Sequence, residues 1–119
     1  CGRPSFDAKR ATDPLLDGDG LKAQAAMYAH NTPLDDARIS PGCAPISHLP
    51  ETLLQIGDGE MFLDEAADFA NTHSSVMLDV WADMFHGWHM FWPVFEPGRD
   101  ALLRAAGFLR QSALKATAR

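Results

Sequence analysis

Two imidazoles stand three residues apart in the stretch DMFHGWHMFWP, residues 83–93, where His86 and His89 are set among Phe85, Trp88, Phe91 and Trp92. An imidazole serves as a general base when a carboxylate holds one ring nitrogen and leaves the other free to take a proton. The carboxylates placed to do this lie about one βα unit upstream, in the glycine-bounded turn Gly57-Asp58-Gly59-Glu60 and at Asp64 just beyond it. The ordinary alternative is a packed loop histidine, with acids that merely favour a helix N-terminus. The His-x-x-His spacing also admits metal ligation, with Asp83 or Glu96 as a further ligand. A zinc site needs three or four ligands, and the chain has neither HExxH nor paired CxxC motifs.

The elements that must position these groups follow from the apolar pattern. TLLQIG, residues 52–57, is a short apolar run closed by glycine and is predicted as a buried strand. A helix is predicted over 61–73, with Phe62, Ala66, Phe69 and Ala70 on one stripe, then a second strand over 75–81 with Val76, Leu78 and Val80 on one face. A last helix begins at Pro97-Gly98 and runs to about Lys115, with Leu102, Ala105, Leu109 and Ala113 as its stripe. Strand, helix, strand and helix in this order make a βαβ unit with parallel strands, so the turn at 57–60 and the loop at 83–89 leave the sheet at its carboxyl edge. Open α/β sheets build their sites there. Two apolar parallel strands do not complete a sheet, so the chain is expected to be one end of a larger α/β domain.

Upstream, residues 1–20 read as loop, with Asp19 or Gly20 capping a short helix over 21–30. Four prolines between Asn31 and Pro50 predict an irregular surface path. DGDG at 17–20 lacks the later acids of a calcium loop and reads as a turn. SALK at 112–115 fits S-x-x-K only by chance, on a helix facing solvent and without its partner motifs. His30, His48 and His73 fall in loops or at helix ends and are assigned no chemistry.

Composition narrows the class. The 119 residues suit one domain, and 46% hydrophobic with 22% charged residues is globular. Ten basic against sixteen acidic residues give a net charge of −6, without the basic, aromatic-interleaved surface of a nucleic-acid binder. No apolar run approaches the roughly 18 residues of a membrane span, and the first residues do not show the n-region and h-region pattern of a secretory signal. Cys1 and Cys43 are too few for a disulfide framework and are expected to be free thiols of a cytoplasmic protein. A first residue other than methionine suggests processing or truncation.

Three segments then carry a resemblance: DPLL at 13–16, ISPGCAPISHLPETLLQIGDGEMFLDEA at 39–66, and LDVWADMFHGWHMFWPVFEPGRDALLRAAGFLR at 78–110. In order they hold SP, LP before a strand, G-x-x-[DE]-x-x-x-D, a W..M.H.W..F loop and a closing helix. Together they resemble the C-terminal part of the hormone-sensitive-lipase family of α/β-hydrolases, bacterial-type carboxylesterases, over nearly the whole chain. The resemblance implies an α/β-hydrolase fold in which residues 51–119 form the C-terminal βαβα portion of the core. It makes the two strands the seventh and eighth of the family's sheet. Residues 1–50 become a cap-contributing segment, chiefly through 7–31.

The resemblance also implies a carboxylic ester hydrolase of Ser–His–Asp/Glu type, needing no cofactor and no metal. It places the histidine on His86 and the acid on Glu60, with Asp64 as the supporting acid and Asp58 as the alternative. The family more often has Asp-Pro where this chain has Glu60-Met61. His89 receives no role, and Phe85, Trp88 and Leu15 are expected to face the substrate pocket. No G-x-S-x-G and no HGGG segment occurs in the 119 residues. The serine and oxyanion hole are therefore expected in an N-terminal part of the same enzyme, as an upstream segment or a separate chain. Family members often dimerise through the last strand and helix, which implies a homodimer through about 75–82 and 98–115. The competing expectations are a non-catalytic α/β fragment or pseudo-hydrolase, and a metal-dependent hydrolase using His86 and His89.

Overall fold

The computed structural model describes residues 3–43 and 46–117. Cys1, and with it any pairing with Cys43, lies outside the described residues. Two parallel strands form the centre, β1 (Thr52–Gly57) and β2 (Val76–Trp81), in register from Thr52 opposite Val76 to Gly57 opposite Trp81. Between them runs α3 (Leu63–Thr72), and after them comes α4 (Glu96–Thr117). Residues alternate between the two faces of a strand. Leu54 and Ile56 accordingly line one side of the sheet together with Phe62 and with Ala66 and Phe69 of α3, while Leu53 and Met77 line the other together with Phe108 of α4. The unit is thus three layers, helix, sheet and helix, as the βαβ pattern predicts.

Both strands carry a polar residue in mid-run, Gln55 and Asp79, at the same register position. Their side chains turn to the α4 side, where Gln55 Nε2 donates to the Ala101 carbonyl at 3.1 Å. Glycine is required where α4 passes the loop after β2. A Cβ on Gly98 would stand 2.8 Å from the Trp88 carbonyl oxygen. Met61 and Trp88 are the largest fully buried side chains, joined in the core by Phe6, Ile56, Ala66 and Ala101. Among the described residues no helix is long and apolar enough to cross a membrane.

The structure corrects three sequence expectations. Residues 1–20 are not all loop: α1 (Pro4–Ala8) starts with proline at its first position, where the missing N–H costs nothing. α2 spans Gly18–Ala29, and its cap is Asp17, whose carboxylate accepts from the Asp19 and Gly20 amides. DGDG is therefore a helix start rather than a turn. On α4 the inward residues are Gly98, Ala101, Ala105 and Phe108, while Leu102 and Leu109 stand open. Small residues face the sheet because the helix packs closely there, so reading the leucines as the buried stripe places it on the wrong side.

Candidate active site

The turn after β1 and the loop after β2 leave the carboxyl edge side by side and are laced together. The Asp58 amide donates to the Trp81 carbonyl at 2.9 Å, and the Gly59 amide to the Met84 carbonyl at 3.1 Å. In return Asp58 Oδ1 accepts from the Asp83 amide at 2.8 Å. Asp83 has φ 59°, a left-handed conformation that aspartate tolerates better than most residues. Gly57 sits at the point of closest approach, where a Cβ would lie 2.2 Å from the Met84 carbonyl oxygen. Glycine is therefore obligatory at the end of β1.

That turn buries Glu60. Its residue is 2% exposed, and Oε1 accepts from the Gly57 amide at 2.8 Å, so the carboxylate folds back under its own turn. The second oxygen, Oε2, lies 2.8 Å from His86 Nδ1. An ionised carboxylate only accepts, so Nδ1 carries the proton and Nε2 keeps its lone pair. His86 Nε2 makes no hydrogen bond to the described residues, and the side chain remains 45% exposed against 3% for Glu60. Phe62 meets the imidazole edge-on, with centroids 5.9 Å apart at 74°. Gly87 follows with φ 71° and turns the chain into a single 3-10 turn, Trp88–Phe91. An acid-held imidazole with one free nitrogen at a strand edge can accept a proton from a hydroxyl and return it to a leaving group.

Of the three candidate acids, the structure brings only Glu60 to His86. Asp58 is engaged by Asp83 as above. Asp64 Oδ2 accepts from the Ser5 amide at 2.8 Å, while the Asp64 amide donates to Ser5 Oγ at 3.0 Å. Ser5 Oγ in turn donates to the Met61 carbonyl at 2.8 Å. α3 has no side-chain cap of its own, so Ser5 supplies one from outside the helix. Neither Ser5 nor α1 was legible as part of this support. Nothing in residues 3–8 marks a contact made 59 positions away.

His89 is turned away from the acid. Its Nε2 lies 3.1 Å from Gln55 Oε1, and its ring stacks on Trp88 with centroids 3.9 Å apart. Burial pushes this imidazole below its usual range, with Glu60 pulling upward and His86 adding to the lowering. The two histidines therefore do not converge. Among the described residues no three His, Cys, Asp or Glu side chains are grouped to hold a metal ion. The pocket expectations also change. Trp88 is 1% exposed, enclosed by Trp81 and His89, and offers no open wall. Phe85 packs on Phe91 and Phe95, Leu15 is 47% exposed, and the ring that actually meets His86 is Phe62. A hollow of about 920 Å³ lies over the α3 face of the sheet, and Phe62, the ring that meets His86, forms part of its lining. Ser112 and Lys115 of SALK pair with Glu51 at the far end of α4.

Comparison with known proteins agrees with this architecture. The chain is 32% identical over 114 residues to an acetyl-hydrolase of Streptomyces hygroscopicus, covering 92% of this chain and 38% of that protein. A crystal structure of EstE5 soaked with ethyl alcohol superposes with a TM-score of 0.89 at 28% identity, over 94% of this chain and 39% of the other. An esterase from the bacterial hormone-sensitive lipase family superposes with a TM-score of 0.86 at 30% identity, over 91% of this chain and 38% of that one. The chain thus spans about two fifths of the length of the relatives it matches. Residues 2–90 match the profile of the alpha/beta hydrolase fold. With the βαβ core, the laced edge loops and the match over residues 2–90, the chain belongs to the α/β-hydrolase fold family.

Proposed function

We propose that this chain supplies the acid and the base of a Ser–His–Glu triad in a carboxylic ester hydrolase. The observation that carries the reading is the 2.8 Å contact of His86 Nδ1 with a buried Glu60 whose other oxygen is fixed by Gly57. The serine and oxyanion hole come from a segment outside these 119 residues, since no G-x-S-x-G occurs within them. That serine attacks the ester carbonyl while His86 Nε2 takes its proton. The imidazolium, held by Glu60, then protonates the departing alkoxide. Water repeats the sequence on the acyl-enzyme: His86 takes its proton, the acid departs, and the serine is regenerated. Residues 1–50 act here as the cap-contributing part, and the substrate is a small carboxylic ester. The name of the Streptomyces relative favours a short acyl group. Two copies pair through β2 and α4, where Leu102 and Leu109 of α4 stand open.

The experiment joins or co-expresses the chain with a G-x-S-x-G-bearing N-terminal part and follows p-nitrophenyl acetate hydrolysis. The combined protein turns over, and a fluorophosphonate labels the added part and no serine of this chain. His86→Ala lowers kcat by about 10³-fold or more. Turnover by the 119 residues alone, lost in His86→Ala, contradicts the division of the triad. Full activity of the combined His86→Ala protein contradicts the assignment of the base. Sedimentation of the combined protein as a monomer removes the pairing.

A further inference from the structure

Asp79 lies on the α4 face of β2, is 5% exposed, and heads a chain of side-chain contacts that ends at His89. Its Oδ1 pairs with Arg104 of α4 at 3.0 Å, and its Oδ2 accepts from Trp81 Nε1 at 2.9 Å and from Gln55 Nε2 at 3.1 Å. The Gln55 amide nitrogen donates its second hydrogen to the Ala101 carbonyl at 3.1 Å. Both of its hydrogens thus face acceptors, which fixes the amide orientation and turns Oε1 to His89 Nε2 at 3.1 Å. Oε1 only accepts, so His89 must carry its proton on Nε2. His86 carries its own on Nδ1 because Glu60 accepts there. Two histidines three residues apart are held as opposite tautomers.

We infer that His89 is a positioning residue, locked by the Asp79–Gln55 chain as a neutral Nε2–H imidazole that fixes the Trp88 turn and leaves His86 as the only base. The inference rests on the triad reading above for its kinetic consequence, and on hydrogen-bond geometry alone for the tautomer. The groups that face His89 are Gln55 from β1, Trp88 from its own turn, and the charges of Glu60 and His86 from the two edge loops. A proton on His89 would put a cation beside the imidazolium that forms at His86. Gln55 offers no negative charge to favour it. Trp88, whose ring stacks on His89 and whose backbone carbonyl lies close against Gly98, opens the 3-10 turn that follows His86 and Gly87, and so carries the restraint into it.

The test uses the protein joined to its serine-bearing part. Long-range 1H–15N spectra of the side chains are expected to show His86 protonated at Nδ1 and His89 at Nε2, with His89 still neutral at about pH 6.5, the ordinary imidazole value. His89→Leu is expected to lower kcat about tenfold with KM changed by no more than about twofold. His89→Gln, which keeps a donor towards Gln55, recovers most of the loss. Gln55→Leu added to His89→Leu costs nothing further. A Nδ1–H form at His89, or half-protonation of His89 at or above about pH 6.5, overturns the proposal whatever the activity. So does a His89→Leu enzyme with unchanged kcat, or one altered in KM alone. Absence of turnover in every protein, with both tautomers as stated, instead counts against the triad reading and leaves the tautomer lock standing.

Discussion

Glu60 and Asp58 are separated by one residue and have opposite duties. Asp58 uses its carboxylate to hold the backbone of Asp83, whereas Glu60 spends one oxygen on its own turn and the other on His86. Replacing Glu60 by glutamine keeps the shape but puts an amide where a pure acceptor stood. Its nitrogen cannot accept from His86 Nδ1–H, and the imidazole is free to take the wrong tautomer. Glu60→Gln is therefore expected to lower kcat of the combined protein by about 10³-fold or more, as loss of the orienting acid does in serine hydrolases. Asp58→Asn retains an oxygen for the Asp83 amide and is expected to cost about tenfold at most. Equal losses in the two variants would mean that the turn, rather than the acid, is what the first substitution damages. His86 and the three candidate acids could be singled out in the residues because they belong to short turns at one sheet edge, but only the resemblance set Glu60 ahead of Asp58 and Asp64. Gln55, Asp79 and Arg104 were not legible as partners of His89. Their only trace is polar residues inside two apolar runs, and the register that aligns them is a tertiary fact.

At the scale of elements, the two loops are close because β1 ends in a residue without a side chain. With a Cβ 2.2 Å from the Met84 oxygen, Gly57→Ala forces the edge loops apart, and it also disturbs the amide that holds Glu60 Oε1. The variant is expected to lose about 2 kcal/mol or more of stability, read as a lower midpoint in urea, together with activity. Gly107 is the opposite case. It lies inside α4, and a Cβ there meets no atom within 4 Å. Gly107→Ala is expected to raise stability by about 0.5–1 kcal/mol by removing backbone freedom from the unfolded chain. A midpoint unchanged by the first substitution would refute the close approach. A midpoint lowered by the second would mean that the space beside Phe108 and Gln111 is not available. β1, α3, β2 and α4 could be read from apolar periodicity within two residues at each end. α1 could not, because a single turn whose helical status rests on Pro4 and on Ser5 capping α3 leaves no periodic signal.

For the whole molecule the order of elements indicated the edge that carries the candidate site before any side chain was located, since parallel strands send both turns to one edge. The same order left the α4 stripe undetermined, because small and large residues on a helix are sorted by how near the sheet lies. The balance of protonation is likewise a property of the folded whole. Burial lowers the pKa of His89 below the ordinary value of 6.5. Between its folded and unfolded values the unfolded chain binds the extra proton, so acid favours unfolding there. The contribution of neutral His89 is present in full above about pH 6.5 and declines as pH falls towards the folded value, below which it changes no further. Carboxylates titrate lower, and His89→Gln removes this one group while keeping a donor to Gln55. Urea midpoints measured from about pH 8 to pH 5 are expected to fall more steeply in the parent than in His89→Gln, with the difference confined to the interval below about pH 6.5. Parallel curves would mean that His89 takes up its proton in the fold as readily as in the unfolded chain. In that event Gln55 and Trp88 would have to accommodate an imidazolium beside His86.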